Sequence, residues 1–229
     1  MAAVRVALRG RVLLDERAGV RDVATGAPLR ADDLFRLYSM TKPLTVVGAL
    51  ILYERGCFGL DDPVSAFLPE FGATRVLRGA QARFEAGGQP PSNEEGLGMP
   101  TEPAAGDGPT VLQLFTHTAG IMSGTTAPEA RTLAEYSEQT AALPLLFQPG
   151  TQFCYGEGIS ILGRLIEIWS GEPYEEFLQR EVFDAIGMAD ATFRLSDANR
   201  HRLVTQHRVD AAGLIPPPEH DAAGPYIPE

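Results

Sequence analysis

The sequence is poor in the features that define several classes of protein. Its 229 residues include only two cysteines, Cys57 and Cys154, and carry 19 basic against 30 acidic side chains, for a formal net charge of −11. Two cysteines supply neither the ligand spacing of a metal site nor the disulfide framework of a secreted domain, so free thiols in a reducing compartment are expected. The acidic balance, with no basic cluster, excludes a nucleic-acid-binding surface.

Long hydrophobic runs are also missing. The N-terminal stretch MAAVRVALRGRVLLDE is apolar, but Arg5, Arg9 and Arg11 interrupt it, whereas a signal peptide needs a continuous apolar stretch. No segment approaches the ~20 apolar residues of a membrane span. The sequence therefore predicts a soluble, cytoplasmic protein that does not bind membranes. Because no metal-ligand or cofactor motif is present, neither a metal nor an organic cofactor is expected.

What is present is enough for a folded core, since 44% of the residues are hydrophobic. The alternation through Val4, Val6 and Leu8, interrupted at Gly10 and resumed afterwards, predicts an N-terminal β-hairpin. From Thr41 to Arg55 the chain is apolar on nearly every face, which predicts a buried helix followed by Gly56 as its cap.

Further along, LDDPVSAFLPEF predicts a short helix that Pro69 ends. Residues 79–109 contain seven glycines and five prolines, which predicts a long surface loop. Helical spacing predicts three later helices, in TVLQLFTHTAG, GISILGRLIEIWSG and PYEEFLQREVFDAIG. The final stretch, GLIPPPEHDAAGPYIPE, has too many prolines for a helix or a central strand.

The stretch LYSMTKPL carries the main chemical signal. Ser39 and Lys42 are three positions apart, so on a helix they lie on one face, and Pro43 is tolerated only if that helix begins just before it. A lysine on an apolar helix can act as general base toward a serine, and the N-terminal end of the helix can stabilise an oxyanion. The alternative is ordinary: Ser39 caps the helix and Lys42 is a solvated residue of its first turn.

Three further motifs accompany this one: GLDDPVSAFLPEF, LFTHTAGI and FQPGTQFCYGEGISILGRLIEIWSG. Together, in this order, the four resemble the serine β-lactamase-like superfamily, which includes class C β-lactamases, D-alanyl-D-alanine carboxypeptidases and family VIII carboxylesterases. The resemblance implies that Ser39 is the nucleophile that accepts the acyl group and that Lys42 activates it. It also implies that Tyr155, at the tyrosine of the family's Y-x-N motif, relays protons.

The chain departs from the family pattern at two places. Glu157 stands where Y-x-N has its amide, so a carboxylate that only accepts hydrogen bonds replaces a group that also donates them. As a tentative substrate-binding residue, Glu157 disfavours β-lactams and peptides and favours esters. The family's third motif, of K-T-G, H-x-G or W-x-G type, has no counterpart after residue 208.

The resemblance implies an α+β, β-lactamase/transpeptidase-like fold: an antiparallel sheet flanked by helices, plus a helical subdomain, with the C-terminal sheet strands missing. Residues 1–229 are expected to form a single incomplete domain, with a hairpin and loop in 1–35, a mostly helical part in 36–208 and a Pro-rich irregular tail in 209–229. A fragment of a longer protein is favoured over completion by another chain or a degenerate relative, because a two-stranded ribbon alone is marginal and the helix from Thr41 would lack cover on one side.

Other residues are given structural roles. His117 could form a triad with Asp61 or Asp62, but no G-x-S-x-G elbow surrounds Ser39, so a backbone-bonded His117 in a turn is expected. The remaining histidines are expected at the surface, Trp169 in the core and Cys154 as a small buried residue.

The predicted function is that of a serine hydrolase that forms an acyl-enzyme with small carboxylic esters and, less readily, β-lactams. The substrate is thus a small-molecule ester or amide, and the sequence leaves the oligomeric state open. The alternatives are a non-catalytic binding or assembly module of the same fold and an inactive fragment of a longer hydrolase.

Overall fold

The computed structural model describes residues 1–80, 96–122, 130–206, 208–210 and 213–215. The chain divides into two compact units. The first comprises residues 1–38 and the described residues from Asp190 onward, and the second comprises the described residues of Ser39–Ala189. The first unit is mainly β and the second is α+β. Within the described residues every sheet has two strands.

The first unit is built from short antiparallel hairpins. Its strands are β1 (Ala2–Leu8), β2 (Arg11–Ala18), β3 (Val20–Asp22) and β4 (Ala27–Pro28), with β7 (Arg208–Asp210) and β8 (Gly213–Ile215) near the end of the chain. β1 pairs with β2, β3 with β4 and β7 with β8. Every residue of β1 and β2 is exposed, so this hairpin has apolar side chains facing solvent on both surfaces.

Backbone hydrogen bonds join the two chain segments of the first unit. The Leu34 N–H donates to the Arg202 carbonyl at 2.8 Å, and the Val204 N–H donates to the Leu34 carbonyl at 2.9 Å. The Arg202 guanidinium binds the carboxylate of Asp190 at 2.6 Å and the backbone carbonyl of Asp32 at 2.6 Å. The residues around 34 and 203 therefore close the unit on itself although they are far apart in sequence.

The second unit is helical around one central helix. Its helices are α1 (Thr41–Glu54), α2 (Val111–Phe115), α3 (Leu133–Ala141), α4 (Gly158–Ser170) and α5 (Tyr174–Leu178), and α5 continues as a π-helical turn over Gln179–Phe183. Helix α4 packs against the other four helices, and its side chains at 161, 162, 165 and 166 are fully buried. Gly171 ends α4 in the left-handed conformation, as the sequence predicts.

Helix α1 is held closely against α5. A Cβ added at Gly48 would lie 2.5 Å from a terminal methyl of the buried Leu178, so a larger residue at this position would require that side chain to move. One turn earlier, the Thr45 and Tyr174 hydroxyls lie 2.6 Å apart, and Thr45 also donates to the Thr41 carbonyl at 3.2 Å. These contacts fix the helix that begins two residues after Ser39.

The structure corrects the prediction that the helix from Thr41 is buried all round. Its buried residues, Thr45, Gly48, Ala49 and Leu52, occupy one face. The apolar side chains of Val47, Leu50 and Tyr53 are 40–46% exposed. Within the described residues α1 is thus covered on one side only, as the sequence suggested for a helix without its full set of neighbours.

Three other sequence predictions need correction. Pro69 does not end a helix but begins one, because a 3-10 turn at Val64–Ala66 is followed by another at Pro69–Ala73. The predicted loop 79–109 contains strand β6 (Thr101–Pro103), which pairs with β5 (Arg75–Leu77), while residues 81–95 lie outside the described residues.

The predicted irregular tail includes β7 and β8, and helix α3 was not predicted.

Candidate active site

Ser39 lies in a single 3-10 turn, Tyr38–Met40, which leads directly into α1. Met40 is the residue that precedes the helix, and no side chain caps it. Ser39 is therefore not an N-cap, which removes the ordinary explanation for a serine at this position. Its hydroxyl is exposed beside the N-terminal end of a 14-residue helix, where backbone N–H groups and the helix dipole favour negative charge.

Lys42 is oriented toward Ser39 by the first turn of α1. Its Nζ donates to the Ser39 Oγ at 3.4 Å. The Lys42 side chain is only partly exposed, whereas Ser39 is open to solvent. The spacing of three positions thus produces the same-face contact that the sequence predicts.

Tyr155 reaches the same two groups from a distant part of the chain. The Lys42 Nζ lies 4.9 Å from the centre of the Tyr155 ring. The pKa of the Tyr155 phenol is lowered, first by a hydrogen bond with Ser39 and then by a hydrogen bond with Lys42 and its positive charge, while burial and the charge of Glu157 act in the opposite direction. The phenol is 48% exposed. The structure therefore brings Ser39, Lys42 and Tyr155 together.

The backbone beside Tyr155 is tightly packed. A Cβ placed on Gly156 would lie 2.4 Å from the Ile121 carbonyl oxygen, and one on Gly158 would lie 3.1 Å from the Leu114 carbonyl. These two glycines let the segment that carries the phenol run against the end of α2 and the residues that follow it.

Glu157 precedes α4, and its carboxylate lies beside the first turn of that helix. One of its oxygens accepts a hydrogen bond from the Ser160 hydroxyl at 2.9 Å. Its charge raises the pKa values of both Tyr155 and His117, so the carboxylate lies within electrostatic range of the reactive groups.

His117 is a member of the site that sequence reasoning missed. It was expected to be structural, and it does bond to backbone, because its Nδ1 accepts from the Gly156 N–H at 3.4 Å. Its ring also lies 4.7 Å from the Tyr155 ring, at an angle of 37°. No spacing rule connects residues so far apart in sequence; the only available signal was that LFTHTAGI and FCYGEG both belong to the motif set of one family.

The other candidates lie elsewhere. Asp62 accepts a hydrogen bond from the Gly59 N–H at 2.7 Å, which is a turn contact and not a triad contact. Trp169 stacks on Phe58 with ring centres 3.8 Å apart, and Cys154 is buried, which raises the pKa of its thiol. His201 is exposed, and His207 and His220 lie outside the described residues.

Among the described residues there is neither a candidate metal-binding cluster nor a membrane-spanning helix. In the part of the chain that the structure covers, no three or more His, Cys, Asp or Glu side chains form a group able to hold a metal ion. Among the described helices, none combines the length and apolar character needed to cross a bilayer.

The serine lies just before a helix, accepts a hydrogen bond from a lysine three positions on and faces a tyrosine. This arrangement is typical of enzymes that transfer acyl groups through serine. The family model named Beta-lactamase matches residues 2–228, and the chain belongs to this family. Its fold is the β-lactamase/transpeptidase fold, present with small sheets.

Known relatives include esterases. The chain is 30% identical to the lovastatin esterase of Penicillium rubens over 81% of its own length and 46% of that protein. It is 29% identical to esterase EstB of Burkholderia gladioli, over 87% of the chain and 48% of that protein. Among solved structures, EstCE1, "a hydrolase with promiscuous acyltransferase activity", matches with a TM-score of 0.72 and 26% identity, over 94% of the chain and 54% of EstCE1. The chain thus spans about half the length of the proteins it matches.

Proposed function

We propose that the protein is a serine hydrolase that cleaves small carboxylic esters through an acyl-enzyme. The observation that carries the proposal is the contact of the Lys42 Nζ with the Ser39 Oγ at 3.4 Å, joined by the Tyr155 phenol. The esterases among the relatives support the same chemistry.

In the acylation step, the Ser39 oxygen forms a bond to the ester carbonyl carbon while its proton passes to the Tyr155 oxygen, which accepts it in the phenolate form that the charge of Lys42 favours. The tetrahedral intermediate then breaks the bond to the alkoxy group, which leaves as an alcohol after taking a proton from Tyr155. Water repeats the sequence on the acyl-enzyme: it gives a proton to the same Tyr155 oxygen, and Ser39 takes one back as the carboxylic acid departs. The lowered pKa of the phenol suits a group that must both give and accept a proton.

The substrate range follows from Glu157. A carboxylate near the reactive groups repels an anionic substrate and offers no N–H to a substrate amide, which disfavours β-lactams and peptides relative to neutral esters. The site needs no metal or organic cofactor for these steps.

The test is active-site labelling with a fluorophosphonate, followed by mass spectrometry, together with the hydrolysis of short-chain p-nitrophenyl esters. We expect the label on Ser39, and we expect Ser39→Ala and Lys42→Ala each to lower kcat by at least about 1000-fold. Ser196→Ala is the matched control, since Ser196 is also an exposed serine close to the start of a helix and makes no side-chain cap bond.

The assays should be run on residues 1–229 and on a longer form that carries the genomic continuation of the chain. A folded longer form that is neither labelled at Ser39 nor active on any ester would reject the proposal and leave the non-catalytic binding module as the better reading.

A further inference from the structure

His117 has an unusual backbone conformation. It lies two residues beyond α2 with a φ of +56°, in the left-handed region that non-glycine residues seldom occupy. Such conformations cost free energy and persist only where the surrounding contacts require them. The surroundings of His117 therefore indicate what the conformation accomplishes.

His117 accepts two hydrogen bonds, one from the residue before Tyr155 and one from the residue after it. The His117 carbonyl accepts from the Cys154 N–H at 2.9 Å, and the imidazole Nδ1 accepts from the Gly156 N–H at 3.4 Å. The imidazole also rests against the Tyr155 ring itself, with ring centres 4.7 Å apart. One residue thus binds the backbone before the phenol, the backbone after it and the aromatic ring between them.

This arrangement needs a neutral imidazole. Nδ1 can accept the Gly156 N–H only if it carries no proton, so the ring proton is on Nε2. The titratable groups around the imidazole are Lys42 from α1, the Glu157 carboxylate at the start of α4 and the Tyr155 phenol, whose ring the imidazole contacts. Burial, followed by the charge of Lys42, lowers the pKa of His117 from 6.5, and Glu157 acts against this shift. The imidazole is therefore neutral at neutral pH.

We propose that His117 is a positioning residue, which holds the Tyr155 phenol in place against Ser39 and Lys42 as long as its imidazole is neutral and releases the phenol when it is protonated. Protonation removes the acceptor for the Gly156 N–H and places a second positive charge beside Lys42. This inference rests on the proposed function, in which Tyr155 carries the proton. As a consequence, the rate of ester hydrolysis falls as the pH drops through the lowered pKa of His117. Above that pKa the rate reaches its full value.

Two substitutions separate the contact from the conformation. Asparagine and glycine both tolerate a positive φ, but His117→Asn keeps a side-chain acceptor near the position of Nδ1 and His117→Gly does not. We expect His117→Asn to retain kcat within about threefold at about pH 8 and to lose the acidic decline, whose midpoint in the parent lies below pH 6.5, because an amide does not titrate. We expect His117→Gly to lower kcat at least about 10-fold with little change in KM.

A second measurement does not depend on catalysis. Tyrosine labelled with ¹³C at Cζ gives one signal for each of the six tyrosines, and Tyr155→Phe identifies the signal of interest. In the parent protein the Tyr155 signal should shift with a midpoint below pH 6.5, and in His117→Asn that shift should be absent. An unchanged acidic decline in His117→Asn, full activity in His117→Gly, or a Tyr155 signal indifferent to His117 would each overturn the inference. An inactive parent that is not labelled at Ser39 would instead reject the proposed function, while the ¹³C titration would still test the role of His117.

Discussion

At the scale of single residues, Glu157 shifts the pKa values of its neighbours in the direction opposite to Lys42. Glu157 raises the pKa values of Tyr155 and His117, whereas Lys42 lowers both. The hydrogen bond from Ser160 holds the Glu157 carboxylate in place. In the proposed function, Glu157 therefore selects substrates by charge, whereas Lys42 and Tyr155 activate the serine.

Replacing the carboxylate by an amide should change that selection. We expect Glu157→Asn to increase kcat/KM for an anionic ester, such as a p-nitrophenyl hemisuccinate, relative to a neutral p-nitrophenyl ester of similar size, by about 10-fold, equivalent to about 1.4 kcal/mol. The measurement is the ratio of the two kcat/KM values at low salt.

The control is Glu138→Gln, which removes an exposed carboxylate from α3. An equal change of the ratio in both variants would show that net charge, and not the position of Glu157, selects the substrate.

The residues that form the site differ in how far the sequence alone predicts them. Ser39 and Lys42 are neighbours because a helix repeats every 3.6 residues, so their contact is local and follows from spacing. Tyr155 is placed by a family motif, since nothing in the local pattern specifies which distant segment meets α1. The ring contact of His117 with Tyr155 was not predicted, because it depends on a left-handed turn and on the close packing of Gly156 against Ile121.

At the scale of secondary structure, long helices with a regular apolar stripe were predicted well. α1 and α4 lie within one or two residues of their expected bounds, because their apolar residues and terminal glycines give a consistent signal. The strands β5, β6, β7 and β8 have three residues each. Such short elements are determined by the strand they pair with and not by their own composition. The glycine and proline content of the sequence therefore did not predict them.

The contact between α1 and α5 predicts an alkaline limit to stability. Burial raises the pKa of Tyr174 to about 12 from its ordinary 10.0, against a smaller opposing effect of the hydrogen bond with Thr45. A raised pKa favours the protonated form in the folded state, so this stabilisation is complete below pH 10 and is lost as the pH rises through about 12.

We therefore expect the parent protein to lose up to about 3 kcal/mol of unfolding free energy at this position over that range. Tyr174→Phe should lose none there, because phenylalanine has no ionisable group, and should cost about 1 kcal/mol at neutral pH through the missing hydrogen bond. Urea unfolding at about pH 8 and about pH 11 measures both effects. Tyr53→Phe, which removes a hydroxyl from an exposed residue of α1, is the control, and an alkaline loss in Tyr174→Phe equal to that of the parent would contradict the assignment.

At the scale of the whole molecule, the described residues leave a large apolar surface in each unit. In the first unit, the six large apolar side chains of β1 and β2 are 41–61% exposed, namely Val4, Val6, Leu8, Val12, Leu13 and Leu14. Strands with unpaired edges and apolar faces readily pair with other chains. The chain spans about half the length of these relatives, and in the part that the structure describes this apolar surface is open to solvent.

For residues 1–229 alone we expect self-association through this hairpin. The paired residues Val6 and Leu14 lie opposite each other, and replacing both by threonine keeps strand propensity while reducing apolar exposure. The double variant should need at least about 10-fold higher concentration to associate, as measured by analytical ultracentrifugation.

Ile186→Thr is the control, because Ile186 is 60% exposed in the other unit and belongs to no strand. A parent chain that remains monomeric at high concentration, or a control as effective as the double variant, would show that the hairpin is not the cause.

The crowding at Gly156 has a consequence for attempts to alter the enzyme. The phenol faces solvent, yet the residue after it has no room for even a methyl group beside the Ile121 carbonyl. We therefore expect mutagenesis libraries to tolerate variation at exposed positions around Tyr155, whereas most substitutions at position 156 should displace the segment that carries the phenol.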